Sequence, residues 1–511
     1  MSLVPYTITA LELNQADATA SGKQVVVGAT CSMFSQPSDL AVLLYDDAAG
    51  SNGSTAKTTG SLGNVIVYVP QGKYRLRVNT SDSYVTVATD SPVDFGTFAS
   101  LQASNYTQDY QKFTVRDRAN ANYILQPAGY TALAGDATFA NGRVAKLVVK
   151  DSVSPEMFGA TGSSANELTI MQSVMDYSVA NNVAVEGSKA YTINGELTLN
   201  SGLTMRGNGS FELLECTIKA QGSISNETAL TVVGVSGQTQ LTVASTTGYA
   251  VGDTIRIISC INAQAPTAGR FLLGDRRTAT DITYLSEFLK IRSLTSTVIK
   301  LQSPLLFDYS LTPDADSGTR TQTSIYKANL VKDLSIKDLR VQRTTTNTND
   351  HPFIAEYLGT DVDFNNVKFD CSAASYVFAR PMELTFCYDI DLTYCDFIAI
   401  VSDSLASSQG NVIIRACQDI KAVRCYQNGG NQGIDVTTGG SSTTLGGPSI
   451  HVKLHFCEFE NTTTDGVTTH WGCYKNEIYK CTINTKSERG IRVRSRGDRV
   501  ISNVINKSNP S

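Results

Sequence analysis

Three stretches late in the chain share one pattern: Gly433-Ile434-Asp435-Val436-Thr437, Gly466-Val467-Thr468-Thr469-His470 and Gly490-Ile491-Arg492-Val493-Arg494. In a strand, side chains alternate between faces. Ile434, Val467 and Ile491 then share one face with Val436, Thr469 and Val493. The opposite face carries two polar columns, Asp435, Thr468 and Arg492, then Thr437, His470 and Arg494. Asp465 and Glu488 stand just ahead of the second and third glycines, and Asp350 and Asp403 fall in similar places earlier, without a glycine to fix the alignment. Strands stack ~4.8 Å apart, so carboxyls one or two strands apart fall near the ~5–5.5 Å of retaining or the ~6.5–9.5 Å of inverting glycosidic cleavage. Asp435, Asp465 and Glu488 are therefore the candidate catalytic residues, with Asp435 and Asp465 as acid and base. His470, Arg492 and Arg494 are candidates to orient a substrate and bind its acidic groups. Trp471, the only tryptophan, stacks a sugar ring if it faces out and joins the core if its parity holds. The same residues suit a second chemistry. His470 or Arg494 could abstract the proton beside a uronate carboxylate while Arg492 neutralises that carboxylate. The bland reading of the acids is a solvated corner, where Asp and Asn favour turn geometry. No second histidine is in register with His470, so no metal and no cofactor is expected, and no Gly-x-Ser-x-Gly elbow supports a serine hydrolase. A long segment, 437–447, lengthens one repeat beside these columns, a place where function concentrates.

These columns need a repeating scaffold, and cysteine marks it. Cys387 and Cys395, Cys417 and Cys425, and Cys473 and Cys481 bracket alternating segments of equal length. Leu339, Val367, Cys395, Cys425, Cys457, Cys481 and Val504 form a series at steps of roughly 23–32 residues, within the range of solenoid repeats. Three residues before each stands Ile336, Phe364, Leu392, Ala422, Leu454, Ile478 or Ile501. Two after stands Val341, Phe369, Phe397, Gln427, Phe459, Ile483 or Asn506. Short strands and turns without amphipathic helices predict a parallel β-solenoid with like residues stacked inside, and the repeat is too short for a propeller blade. Cysteine there acts as a compact hydrophobe. Buried free thiols and folding in a reducing compartment follow.

The net charge of −5 argues against a general nucleic-acid binder. No run of ~18 apolar residues predicts a membrane-spanning helix, and Met1-Ser2-Leu3-Val4-Pro5 is no signal peptide. Residues 1–110 read as a small antiparallel β-domain, with strands near 24–27, 40–45, 65–69 and 74–78. Residues 111–150 read as a connector, polar and partly helix-compatible over 108–122, with weak strands following up to Leu147-Val148-Val149. Ser164-Ala165-Asn166-Glu167 reads as a capping box, followed by Leu168, Met171, Val174, Met175 and Val179 at helical spacing. Such a helix would cover the open end of a solenoid.

At this point the chain resembles a known family. Phe158-Gly159-Ala160-Thr161-Gly162, a helix, then Tyr191-x-Ile193, Leu197-x-Leu199 and Gly202-Leu203-Thr204-Met205-x-Gly207-x-Gly209 are similar to the opening of the pectate-lyase-like right-handed parallel β-helix of bacteriophage tailspikes. The aspartates usual in that opening are replaced by Ser163, Ser164 and Ala165. The stretches 252–257, 287–291 and 299–309 resemble a small β-domain that interrupts the helix in tailspike-like proteins. The resemblance implies an all-β chain: an N-terminal β-domain (1–110) that anchors to the virion, a connector (111–150), a capping helix and first coils (151–225), an inserted β-domain (226–327) and the parallel β-helix (328–511). It implies a homotrimer, attached to the phage baseplate or other tail proteins, that depolymerises a bacterial surface polysaccharide such as capsule, exopolysaccharide or O-antigen. A spike that only adheres is the alternative from another class. Members of the family continue into a C-terminal trimerisation region, and this chain stops at Pro510-Ser511, barely past a coil.

Overall fold

The cysteine-marked repeat is a stack of parallel strands. The computed structural model describes residues 3–9, 11–13, 23–25, 30–35, 54–58, 64–70, 72–78, 81–87, 92–107, 110–163, 165–262, 284–313, 320–344, 351–373, 380–399, 410–438, 446–470, 472–486 and 489–507. The chain divides into two units, Met1–Asp151 with Glu156–Gly159, and Ser152–Pro155 with Ala160–Ser511.

In the first unit, Leu3–Thr9 pairs antiparallel with Asn64–Pro70, and Thr30–Ser35 pairs with Gly72–Val78, which pairs with Ser81–Val87. The strand expected at 40–45 lies outside the described residues. Strands follow up to Val148 as expected, but the helix-compatible stretch over 108–122 itself forms strands, and residues 111–150 are more than a connector. These residues join Val93–Phe95 in a five-stranded sheet of Lys112–Val115, Ala121–Leu125, Ala137–Thr138 and Val144–Val148. Its core is aromatic: Phe95, Tyr106, Phe113 and Phe139 meet edge to face, with Tyr106 and Phe113 centred 5.1 Å apart. The polar composition of 108–122 conceals this because the exposed positions of its hairpin alternate with buried Phe113, Val115, Ala121 and Tyr123.

The second unit is a parallel β-helix of 22 strands with one insertion. From Leu334 on, each coil supplies a strand to three faces. Face A includes Tyr388–Thr393, Gln418–Val423, Lys453–His455 and Glu477–Tyr479. Face B includes Asp396–Ile398, Tyr426–Asn428, Glu458–Thr462 and Thr482–Thr485. Face C includes Phe353–Glu356, Met382–Thr385, Gly410–Arg415, Gln432–Thr437, Asp465–Thr469 and Ile491–Val493. Inside, Phe364, Leu392, Ala422, Leu454 and Ile478 stack in register, as do Phe369, Phe397, Gln427, Phe459 and Ile483. Every cysteine whose side chain is described is a buried free thiol. Each thiol at the A-to-B corner donates to a carbonyl of the coil before it: Cys395 to Phe364 (3.4 Å), Cys425 to Leu392 (3.4 Å), Cys457 to Ala422 (3.5 Å) and Cys481 to Leu454 (3.3 Å).

The last coil departs from the expected series by one residue. Val504, Ile501 and Asn506 were the expected successors. Ile478 instead pairs with Val500, and Ile483 with Ile505, so Asn503 enters the thiol column. The cause is hydrogen bonding. Asn503 Nδ2 donates to the Ile478 carbonyl (3.0 Å) and its Oδ1 accepts from the Cys481 N–H (2.8 Å), which continues the thiol ladder.

The predicted helix spans Leu168–Asn181 and buries Met171, Val174 and Met175. The capping box is not the device that starts it. Glu167 occupies the cap, and its carboxylate turns back to the Thr161 and Gly162 N–H groups, while Asn166 Oδ1 accepts from the Leu168 N–H (3.1 Å). Ser164 lies outside the described residues. The insertion is an antiparallel sheet entered by Ser223–Ala229 and left by Ser324–Asn329, with Leu241, Ile255, Ile257, Leu289 and Ile299 in its core. It docks on the C-to-A corner. Gln418 Oε1 accepts from the Phe288 N–H (2.7 Å) and its Nε2 donates to the Phe288 carbonyl (3.1 Å). The fully buried Arg256 lies 4.3 Å from the Phe386 ring centre.

Candidate functional site

Face C places the predicted columns side by side. Asp435 pairs with Thr468 and Thr468 with Arg492, while Val436, Thr469 and Val493 follow in step. The His470 N–H donates to the Val436 carbonyl (2.8 Å) and the Arg494 N–H to the Thr469 carbonyl (3.0 Å), which carries the register into the second column. The glycines that open the three stretches have a steric cause. A Cβ on Gly433 would lie 2.2 Å from the Gly466 carbonyl oxygen, and one on Gly466 would lie 2.4 Å from Ile483 Cγ2. A side chain there would push neighbouring coils apart, so glycine marks where face B turns into face C.

The outward columns are not solvated corners. Asp435 is 7% exposed and Asp465 0%, with Thr468 also fully buried. Asp435 Oδ1 lies 2.9 Å from His470 Nε2, off the line of the ring N–H, and no hydrogen bond reaches that oxygen among the described residues. The same His470 nitrogen is 3.0 Å from Arg494 Nη2. One ring nitrogen thus meets both a carboxylate oxygen and a guanidinium. Asp465 Oδ2 accepts from Thr468 Oγ1 (3.2 Å) and lies 3.9 Å from Arg492 Nη1, while its Oδ1 is 3.6 Å from Arg489 Nε without a hydrogen bond. Each carboxylate thus keeps one oxygen without a hydrogen bond, that of Asp435 beside His470 and that of Asp465 beside Arg489, in a setting where burial makes charge costly.

The face also holds a cluster that the sequence reading missed. Glu383 sits in the Asp435 column two coils earlier, with Ile413 between them. It receives Arg380 Nη1 (2.8 Å) and Arg415 Nη1 (2.9 Å), and His351 Nε2 lies 3.7 Å away. Burial lowers the proton affinity of Arg380, with the Glu383 charge opposing it. Met382-Glu383-Leu384 alternates as a strand should, but no glycine precedes it, so the glycine alignment passed over it.

The sequence-predicted residues are thus partly brought together. Asp435, His470 and Arg494 form one contact set, and Asp465, Thr468 and Arg492 form the next. Gln432 and Asp465 are in register, and Asp435 follows Gln432 by three positions. One coil step and three strand rises put the two aspartate backbones about 11 Å apart, and two coil steps put Asp435 and Glu383 about 9.6 Å apart. Both are backbone distances longer than the ~5–5.5 Å carboxyl separation of a retaining pair, and both also exceed the ~6.5–9.5 Å of an inverting one. Glu488, Trp471, Asp350, Asp403 and most of the long 437–447 segment lie outside the described residues. Among the described residues no cluster of His, Cys, Asp or Glu could hold a metal ion, and no helix is long and apolar enough to cross a membrane.

Strand register and face C together define a parallel β-helix with one polar, partly buried face. Solved structures similar to this chain include tailspike gp49 of Pseudomonas phage LKA1 (18% identity, TM-score 0.47, covering 65% of this chain and 60% of that one). They also include tailspike gp61 of Pseudomonas phage phi297 (12%, 0.48, 68% and 67%). A third is the gp54 tailspike of Acinetobacter baumannii bacteriophage AP22, solved in complex with A. baumannii capsular saccharide (16%, 0.45, 68% and 56%). This chain therefore spans 60% of the length of the LKA1 tailspike it matches. No protein-family model matches the chain, and no curated protein does.

Proposed function

We propose that face C binds a bacterial surface polysaccharide and hydrolyses its glycosidic bonds, with Asp435 and Asp465 as the acid and base. The observation that supports this reading is the pair of buried carboxylates, each with one oxygen that no hydrogen bond reaches, in a strip lined by His470, Arg492 and Arg494. A general acid must hold a proton and a base must lack one, and burial beside different neighbours is the means of separating two such groups. Their backbone separation of about 11 Å is longer than a retaining pair would use. Arg492 and Arg494 would meet acidic substituents of the polymer. By the sequence resemblance, the substrate class is capsule, exopolysaccharide or O-antigen, the chain works as a homotrimer on a phage virion, and the β-domain of residues 1–110 attaches it to the baseplate or other tail proteins.

Digestion of purified polysaccharides tests the reaction. New reducing ends without unsaturated-uronate absorbance are expected. Asp435→Asn and Asp465→Asn should each fold normally and lose about 10²–10⁴-fold in turnover. One observation favours a second reading. His470 Nε2 and Arg494 Nη2 lie 3.0 Å apart, which sets an imidazole beside a guanidinium as uronate elimination would use them, so products with unsaturated-uronate absorbance would replace hydrolysis with elimination. A wild-type protein that binds polysaccharide and cleaves none would make the molecule an adhesin.

A further inference from the structure

Each coil turns from face A to face B through one residue in the left-handed conformation. Tyr394, Arg424, Phe456 and Lys480 occupy this corner with φ between 51° and 56°. The conformation has a structural cause: each donates its N–H to a carbonyl of the next coil, Arg424 to His455 and Phe456 to Tyr479, for example. The choice of side chain does not follow from that. Short polar residues suit this conformation and bulky ones do not, and Asp338, Asn366 and Ser502 in the flanking coils obey the rule.

At the C-to-A corner bulky residues in the same conformation are explained by burial. Tyr357 and Phe386 lie beneath the inserted domain, 3% and 6% exposed. At the A-to-B corner Tyr394 and Phe456 are each 47% exposed. They belong to a ridge in which rings and cations alternate. Arg424 lies 5.6 Å from the Tyr394 ring centre, and Lys480 lies 5.8 Å from that of Phe456 and 5.2 Å from that of Tyr479. Phe456 and Tyr479 meet edge to face at 5.5 Å. Two coil steps, ~9.6 Å, separate Tyr394 from Phe456 along a straight line.

We propose that this ridge is a glycan-binding site separate from face C, which holds a linear acidic polysaccharide. The electron-rich ring faces attract polarised sugar C–H groups, and Arg424 and Lys480 pair with carboxylates of the polymer. A contact with protein would use the same rings and Arg424, and only Lys480 is of a type that protein interfaces lack; the regular alternation of ring and cation along one line favours a repeating polymer. A nucleic acid fits poorly with a chain of net charge −5. The site does not depend on the reading of face C.

The test uses the full chain carrying Asp435→Asn and Asp465→Asn, so that binding is read without turnover. The probes are an array of purified bacterial capsular and O-antigen polysaccharides, polygalacturonate, and neutral dextran. Tyr394→Gly with Phe456→Gly removes both rings at positions where glycine suits the backbone, so thermal stability should hold or rise. Binding to acidic members of the array should weaken at least tenfold, Arg424→Ala and Lys480→Ala should each weaken it further at low salt, and dextran should bind less well throughout. Unchanged affinity in the ring variants, or no acidic polysaccharide bound by the parent, overturns the site. So does a change of oligomeric state in the ring variants, which would make the ridge a contact between copies. Loss of depolymerisation on face C with ridge binding intact would leave this site standing, and the reverse result would remove it alone.

Discussion

Glu287 in the inserted domain shows what burial does to a single charge here. It is 2% exposed, accepts from the Leu306 N–H (3.0 Å) and the Tyr309 hydroxyl (3.0 Å), and burial still pushes its pKa up to about 7. A raised folded value means that the native state holds a proton that the unfolded chain releases above its own value near 4.5. The stability this group contributes is therefore fully present below about pH 4.5, falls as pH rises toward 7, and is level above that. The change amounts to about 3 kcal/mol at 1.36 kcal/mol per pKa unit. Glu287→Gln carries no charge at any pH, so the difference in denaturant midpoint between it and the parent should shift in its favour between pH 4.5 and 7. A difference that stays flat with pH would show that Glu287 titrates normally.

At the scale of the elements, the β-helix depends on two devices that repeat once per coil. One is the glycine bend. Gly433→Ala sets a Cβ against the Gly466 carbonyl and against Phe459 Cδ1 at 2.8 Å, and backbone cannot yield as a side chain can. A loss of about 1–3 kcal/mol or more is expected in urea unfolding. Gly490→Ala meets only the Ile505 side chain, so its cost should be smaller. The other device is the thiol ladder. Its cysteines are buried, and hydrogen bonding with the thiol of the coil before, together with burial, pushes Cys425, Cys457 and Cys481 well above the ordinary thiol range. The native protein should therefore leave these thiols unlabelled by a disulfide reagent, with labelling appearing in step with global unfolding. Fast labelling of the folded protein would contradict the ladder. Cys457→Ala removes a donor to the Ala422 carbonyl and some packing, at about 1–2 kcal/mol in the same assay.

At the scale of the whole molecule, the boundary at Asp151 separates two units with their own cores. The strand Ser152–Val153 already pairs with Ala184–Gly187 in the first coil. A fragment of residues 152–511 is thus expected to fold alone and to keep the polysaccharide chemistry of face C. Far-UV circular dichroism and protease resistance equal to the full chain would be the sign. Aggregation of the fragment, with stability recovered only in the full chain, would tie the helix to the first unit. The inserted domain, by contrast, is not expected to separate cleanly. Gln418 bonds the Phe288 backbone in both directions, and Phe288, Ala328, Tyr357, Phe386 and Ala416 share one core.

The inward columns were legible in the amino-acid sequence because burial and alternation act on neighbours in the chain, and a solenoid repeats that local rule in every coil. That logic placed Phe364 over Leu392 and Asp435 over Thr468. It slipped at Asn503, where a side-chain amide replaces a thiol and apolarity no longer marks the register. It passed over Glu383, because without a glycine nothing in the sequence ties that strand to the others. It placed a connector where the aromatic core of Phe95, Tyr106, Phe113 and Phe139 forms a sheet, since those residues are far apart in sequence. What the tertiary structure alone decided is environment. Parity puts Asp435 on an outward face and leaves Asp465 at the bend, but only the packing of the coils shows that both are buried, Asp435 within 2.9 Å of His470 and Asp465 within 3.9 Å of Arg492. Parity likewise leaves Tyr394 and Phe456 at a corner, and only the placement of the inserted domain on the other corner shows that these two rings stay uncovered. Direction along a strand is a local property, whereas exposure depends on every segment that passes nearby.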